Sequence, residues 1–399
     1  MAFAPLPLLS LCVIASACVH VPQRTPLPKE QIPHATVLDM EQARHWADEP
    51  PPWGDAWREL SRDDVQARYP AVFGQPHSYL ALSGGGSNGA FGAGLLAGWT
   101  EAGDRPEFAL VTGISAGALT APFAFLGPEY DHVLKAVSSE ATADDIYKKR
   151  GIIKAVRKDG FASTEPLQAL LAKYIDEELV EKLAVEHRRG RRLNIGTTDL
   201  DSMRPMMWQV SAIAASGHPG ALELIRQIIL ASASIPGYFT PVLIEVEANG
   251  QRYDELHVDG GVARQVFLYP IGVDFTEITE KLEVPEPPKV YIIRNGRLDP
   301  LHETVENRTI PIAGRSLSSL TRTQGIGDLY RMYLETFRDG LEFNLAYIPA
   351  SFTMAEQGAF DTEYMRALFN VAYEAAKNGY PWEPTPPDMH DVTMTPDVR

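Results

Sequence analysis

Leu110-Val111-Thr112-Gly113-Ile114-Ser115-Ala116-Gly117-Ala118-Leu119 is the stretch on which the reading of this chain turns. It reads as a short apolar strand, a turn with a glycine on each side, and the start of a small-residue helix. Gly113-Ile114-Ser115-Ala116-Gly117 has the Gly-x-Ser-x-Gly spacing of a nucleophile elbow. That turn is so tight that side chains beside the serine would collide, which is why glycine flanks it. The serine then stands at a helix N-terminus, where unpaired N–H groups and the helix dipole favour developing negative charge. With 31 glycines in the chain, the same pattern also fits a strand-to-helix turn carrying an incidental serine. The flanking sequence decides between the two.

Upstream, His77 to Ser83 reads as a first strand and runs directly into Gly84-Gly85-Gly86-Ser87-Asn88-Gly89. Residues 84, 86 and 89 satisfy Gly-x-Gly-x-x-Gly, so a dinucleotide site is one reading. That reading needs an acidic residue closing a second strand about twenty residues on. Asp104 has the spacing but sits in a Gly-Asp-Arg-Pro turn. The same glycines serve equally well to expose backbone N–H groups as an anion nest. A helix to about Ala102, a strand from Phe108 to Thr112 and a helix from Ala116 to Phe125 follow. Residues 128–190 read as several helices, one introduced by the Ser163-Thr164-Glu165-Pro166 start signal. The apolar residues at 167, 170, 171, 174 and 175 recur at helical spacing and read as core.

Downstream, strands are expected at Leu193–Thr198 and Met206–Val210, and a helix at Leu222–Ala231. Asn249-Gly250 separates Val242–Glu247 from Arg252–Val258 as a hairpin turn. The second run ends in His257-Val258-Asp259-Gly260-Gly261. A strand is expected at Lys289–Arg294, long amphipathic helices at 318–341 and 362–378, and a strand near Leu341–Tyr347 between them. The last twenty residues, with five prolines, read as a loose tail. Alternating strands and helices imply an α/β body with a mainly parallel sheet.

Three features thus occur in order: Gly84 to Gly89 after one strand, Ser115 after the next, and Asp259-Gly260-Gly261 at a later strand end. This order resembles the patatin-like phospholipase family. Ala231-Ser232-Ala233-Ser234-Ile235-Pro236 and Thr197-Thr198-Asp199-Leu200 are similar to further motifs of that family. The resemblance covers about residues 77 to 272. It implies a three-layer α/β/α acyl hydrolase working through a Ser–Asp dyad, with no metal or cofactor. Carried over residue by residue, Ser115 is the nucleophile and Asp259 its base. Backbone N–H groups of Gly85 and Gly86, together with Gly84, form the oxyanion hole, and Gly89, Gly113, Gly117, Gly260 and Gly261 support these motifs. The implied substrate is an acyl ester of a lipid, cleaved as by a phospholipase A or lysophospholipase. One position departs from the pattern: Asn88 stands where the family commonly has Arg or Lys. A non-catalytic lipid- or partner-binding protein of the same fold is the competing expectation. His257, two residues before Asp259 on one strand face, is the histidine to consider for a triad; a packed strand residue is its plainer reading.

The N-terminus adds a location. Pro5 to Ala17 is apolar but too short to cross a bilayer, and it ends Ala15-Ser16-Ala17-Cys18, small residues before a cysteine. This resembles the bacterial lipobox, so residues 1–17 are expected to be a signal peptide and Cys18 a lipidated first residue. The expected place is the cell envelope, anchored at the outer membrane or the periplasmic face. No Lys or Arg precedes the apolar run, which fits a translation start further upstream, and alanine replaces the usual leucine three residues before Cys18. Cys12 and Cys18 are the only cysteines, so residues 19–399 can form no disulfide and no Cys/His metal site. The net charge of −16 speaks against nucleic acid as a partner. The basic run His187-Arg188-Arg189-Gly190-Arg191-Arg192 reads as a solvated helix end, with lipid head groups as a sharper alternative. Residues 18–75, rich in Pro and mixed charge, read either as a tether or as an arm wrapping the body, with Trp53, Trp57 and Tyr69 as anchors in the second case. The body spans 76–300, and 301–399 reads as a helical extension packed on it.

Overall fold

The computed structural model describes residues 24–149, 162–270 and 272–389. The leader and Cys18 lie outside the described residues. Eleven strands occur among them: β1 (Arg44–Trp46), β2 (Ser78–Leu82), β3 (Leu110–Ile114), β4 (Lys148–Lys149), β5 (Ala162–Ser163), β6 (Arg192–Asp199), β7 (Arg204–Gln209), β8 (Val242–Ala248), β9 (Gln251–Asp259), β10 (Lys289–Arg294) and β11 (Glu342–Tyr347). Nine of these form one sheet in the order β1-β7-β6-β3-β2-β10-β11, with β9 also paired to β6 and β8 to β9. The run β6-β3-β2-β10-β11 is parallel throughout. The additions at the β6 end are antiparallel. β4 and β5 form a separate ribbon.

Strand alternation divides the core into two. Leu80, Leu82, Val111, Leu193 and Ile195 face helices Gly89–Ala102, Ala116–Leu126 and Thr362–Lys377. Tyr79, Ala81, Val290 and Ile292 face the other way, toward Phe275, Leu329 and Met332 on helices Phe275–Lys281 and Thr309–Arg338. The fold is therefore a three-layer α/β/α sandwich. Parallel strands buried on both faces explain why their sequences read as unbroken apolar runs. The Asn249-Gly250 turn takes positive φ at both residues, 51° and 74°, the two-residue hairpin geometry that the dipeptide favours.

The segment after residue 300 is part of this body, and no boundary falls there. β11 extends the sheet beside β10, and helix Thr362–Lys377 is built into the first core, against helix Gly89–Ala102. A Cβ on Gly94 or Gly98 would collide with the carbonyls of Phe369 and Tyr373, so the two backbones pack directly on each other. The expected loose tail is corrected over its described part. Glu383 bridges to Leu345, and Trp382 packs its ring against Trp99 and Tyr291.

Of the two readings of residues 18–75, the described part is an arm. Thr36 bridges to Glu247, Pro26 to Asp254, and β1 adds an antiparallel edge to β7. Arg44 on β1 forms a buried ion pair with Glu255, which also meets His257 Nε2 at 3.1 Å. Burial opposes the Glu255 charge, but Arg44 and His257 more than offset it and hold the carboxyl down at about 2. Trp57 donates its indole N–H to Tyr69 Oη at 2.9 Å within the arm, and Arg58 Nε donates to Glu277 at 2.9 Å, tying the arm to the body.

Candidate active site

Parallel α/β sheets present their ligand sites beyond the carboxyl ends of the strands. Here β3 ends one residue before Ser115, and helix Ala116–Leu126 starts one residue after it. Ser115 has φ 55° and ψ −122°, a conformation that L-residues avoid and that turns its side chain out of the strand-to-helix corner. Gly113 lies within β3, and Gly117 lies in the first turn of the helix. A Cβ on Gly117 would collide with the Leu82 carbonyl at the end of β2, so only glycine allows the corner to seat there.

Ser115 Oγ donates to Asp259 Oδ2 at 2.6 Å. Asp259 comes from the last position of β9, which the Thr197–Asp259 register aligns against β6. Its other oxygen, Oδ1, accepts from the N–H of Gly261 at 2.7 Å, in the turn that Gly260 begins. Both side chains are buried. Burial pushes the Asp259 carboxyl up to about 6, against the lowering pull of the bonds from Ser115 and Gly261. A carboxylate of that pKa sits close enough to neutrality to accept a proton. Ser232 Oγ accepts from the Ser115 N–H at 3.0 Å and donates to the Gly196 carbonyl at 2.6 Å, pinning the strained residue to β6.

The glycine loop lies against this pair. A Cβ on Gly84 would stand 3.2 Å from Ser115 Cβ. The N–H of Gly84, however, donates to the Gln265 carbonyl at 3.0 Å and is not open to a ligand. This corrects the expected trio of donors to two. The N–H groups of Gly85 and Gly86 have no partner among the described residues. Gly85 is held by Asn295, whose carbonyl occupies the place a Cβ would take. Asn295 also donates its N–H to Ser83 Oγ at 2.8 Å and Nδ2 to the Ser83 carbonyl at 2.9 Å, and its Oδ1 accepts from the N–H of Gly92 at 3.0 Å. Gly89 opens helix Gly89–Ala102, which follows the loop.

An apolar cavity opens on Ser115 from the side of helix Ala116–Leu126. Its walls include Leu119, Phe123, Leu134, Leu167, Phe239 and Met365. Leu167, Leu171 and Ile175 are packed in the core as expected, with Leu170 against it, and Leu167 and Leu170 also reach the cavity wall. Phe360 lines the cavity beside the loop; its N–H donates to Ser87 Oγ at 3.0 Å, and Ser87 in turn donates to Glu356. Asn88 Oδ1 accepts from Tyr364 Oη at 2.6 Å, so a neutral contact stands at the position of the expected cation. His257 is not a member of the site. Its Nδ1 meets Thr197 Oγ1 at 3.0 Å and its Nε2 meets Glu255, which accounts for both ring nitrogens.

Residues 80–270 match the family model Patatin-like phospholipase. This stretch is a patatin-like domain. Among solved structures, the chain is similar to VipD from Legionella pneumophila, at 11% identity and a TM-score of 0.37, covering 76% of this chain and 67% of that one. It is also similar to the type III effector protein ExoU, at 14% identity and a TM-score of 0.22; it covers 76% of this chain but only 53% of ExoU. No curated protein matches the chain. The patatin-like match supports hydrolysis of lipid esters in general terms.

Sequence reading passed over Gln265 and Asn295, which fix the glycine loop from outside the motifs, and Arg294, whose Nη1 donates to Ser83 Oγ at 3.3 Å just before the loop. Arg294 and Asn295 had a signal. They are polar residues ending an apolar strand of a parallel sheet, the place where site residues gather. Gln265 carried none: its hold on the loop is a main-chain carbonyl, and its side chain donates to the Gly261 carbonyl at 2.6 Å from outside any motif.

Proposed function

We propose that the patatin-like domain is a serine acyl hydrolase in which Ser115 is the nucleophile and Asp259 the base. The observation that carries this reading is the 2.6 Å bond from Ser115 Oγ to a buried, pKa-raised Asp259, beside the two unpaired N–H groups of Gly85 and Gly86. As Ser115 Oγ attacks an ester carbonyl, its proton passes to Asp259 Oδ2. The carbonyl oxygen becomes an oxyanion and is received by the Gly85 and Gly86 N–H groups; one such donor contributes ~3–4 kcal/mol in the transition state. Collapse breaks the bond to the alkoxy oxygen, which leaves as the alcohol carrying the proton from Asp259. Water then adds to the acyl-enzyme, Asp259 takes one of its protons, and that proton returns to Ser115 Oγ as the free acid departs.

The apolar cavity of about 60 Å³, walled by Leu119, Phe123 and Leu134, suits the first carbons of an acyl chain beside Ser115. Phospholipase A or lysophospholipase action follows if the alcohol is a glycerophospholipid. Asn88 paired to Tyr364 offers a head-group phosphate no cation at this point, which shifts preference toward esters without a phosphate head group. Export and lipidation at Cys18 remain part of the proposal; an anchor raises the effective concentration of lipid at the site.

The test is intact-mass analysis after treatment with a fluorophosphonate. The wild-type chain takes one adduct, Ser115→Ala takes none, and Asp259→Asn reacts much more slowly. A folded wild-type chain that takes no adduct refutes hydrolysis through Ser115 and leaves the lipid-binding reading.

A further inference from the structure

The second face of the sheet is covered unevenly. At the β2-β10-β11 end it carries helices Phe275–Lys281 and Thr309–Arg338. At the β6-β7-β1 end, its cover is the N-terminal arm, from Pro50 to Arg58. Between that arm and the strands lies a cavity of about 680 Å³, within the size range of small-molecule sites, ~300–1,000 Å³. It shares no lining residue with the cavity at Ser115. Arg192 pairs with Leu110 at the start of β3, whereas Ser115 follows its other end, roughly 16 Å further along the strand. Leu193 and Ile195 point into the opposite core, so this cavity and the Ser115 cavity lie on opposite faces of the sheet.

The lining has a specific chemistry. Trp53, Trp57, Met207 and Phe275 form apolar and aromatic walls. Into them projects Arg192, the last residue of the basic run. Its Nη1 donates to the carbonyls of His187 and Arg191, at 3.1 and 2.9 Å, and its guanidinium lies 4.8 Å over the Tyr69 ring. No carboxylate pairs with it among the described residues, and burial depresses its pKa. The acidic residues of the lining are engaged elsewhere: Asp55 and Glu277 with Arg58, and Asp274 as the cap of helix Phe275–Lys281. Two further buried polar atoms of the lining have no partner, Asn194 Oδ1 and His45 Nδ1. Asn194 shares the Arg192 face of β6, and His45 reaches it from β1 through its pairing with Met207. Arg192 is half-buried without a counter-charge, and orphaned buried polar atoms are costly, so a native site normally satisfies them.

We propose that this cavity is a second ligand site, for an organic anion with an apolar body: a carboxylate or phosphate-ester head against Arg192, and an alkyl chain along Trp53, Trp57 and Phe275. The head group supplies the charge that Arg192 lacks, and the arm forms the outer wall. The site is independent of the chemistry at Ser115.

The experiment titrates the full chain carrying Ser115→Ala with ω-bromolaurate, whose bromine quenches nearby tryptophan fluorescence. Saturable quenching is expected, and it is lost in the Trp53→Phe/Trp57→Phe double variant. Arg192→Met raises the dissociation constant by about tenfold or more, the value of a charge-assisted contact, while Arg192→Lys keeps most of the affinity. ω-Bromolauryl alcohol, lacking the charge, binds at least about tenfold more weakly than the acid. ω-Bromolauryl phosphate serves as the other arm, and whichever anion binds more tightly identifies the head group. If Arg192→Met fails to fold, Ala212→Phe, which fills the cavity from helix Val210–Ala215, is expected to abolish the quenching. Quenching that survives in the double tryptophan variant, equal binding of the alcohol, or unchanged binding in Arg192→Met and Ala212→Phe overturns the proposal.

Discussion

Replacing Asp259 by asparagine should stabilise the protein while disabling it. In the folded chain the carboxyl titrates at about 6 rather than its ordinary 3.8, because it ionises in a buried site. The shift is about two pH units, and at ~1.36 kcal/mol per unit it amounts to ~3 kcal/mol of differential stability. The sign follows from proton counts. Between the two pKa values the native state holds a proton that the unfolded chain has released, so stability falls as pH rises through that window. Above about 6 the penalty is fully present, and below 3.8 it is absent. Asparagine is neutral at every pH. Its Oδ1 can still accept from Gly261, and its amide N–H can point to Ser115 Oγ. Near neutral pH, Asp259→Asn should therefore unfold at higher urea, by up to ~3 kcal/mol. In a chain of 399 residues each kcal/mol is worth about 1 °C in Tm, so the upward shift is about 3 °C. The assay is equilibrium unfolding of both proteins near neutral pH and again below about pH 4, where the gap should close. A variant no more stable than wild type at neutral pH, or a gap that persists in acid, refutes the assignment of Asp259 as a buried, charge-penalised carboxylate.

Three further outcomes are expected. The rate of fluorophosphonate labelling should fall about tenfold per pH unit below about 6, as Asp259 becomes protonated, and level off above; a flat profile across that range removes Asp259 as the base. Ser232→Ala strips the partner from both the Ser115 N–H and the Gly196 carbonyl. Urea unfolding should show a loss of ~1–3 kcal/mol, together with slower labelling as Ser115 loosens. Arg44→Ala leaves Glu255 charged and buried, which should cost ~3–5 kcal/mol, and a second change, Glu255→Gln, should recover much of that loss.

Much of the fold was legible because its signals are local. Parallel strands such as Leu110–Ile114 and Lys289–Arg294 announce themselves as apolar runs, and Asn249-Gly250 fixes its hairpin by backbone preference alone. The site was legible for a related reason. Gly85, Gly113, Gly117 and Gly260 stand where a backbone passes close by, and that constraint is written at a single position. What escaped was long-range. Proline content describes how residues 24–60 behave as an isolated chain, but the pairings of Thr36 with Glu247 and Arg44 with Glu255 depend on a surface folded two hundred residues later. Likewise, Leu167 and Leu171 share the core and the same helical spacing, yet only Leu167 also reaches the cavity wall. The commitment of the Gly84 N–H to Gln265 is a main-chain event that no side-chain pattern encodes.

The docking of helix Thr362–Lys377 on helix Gly89–Ala102 has a consequence in time. The loop from Gly84 to Gly89 leads directly into the older of these helices, yet its contacts to Glu356, Phe360 and Tyr364 come from the youngest part of the chain. β11 likewise completes the flank of β10, whose end carries Asn295, the residue that seats Gly85. A chain emerging N-terminus first thus holds Ser115 and Asp259 long before it holds a finished anion-binding loop. Under the proposed function, activity is the last property the chain acquires, and a partial chain stays silent until residues 356–364 have been added.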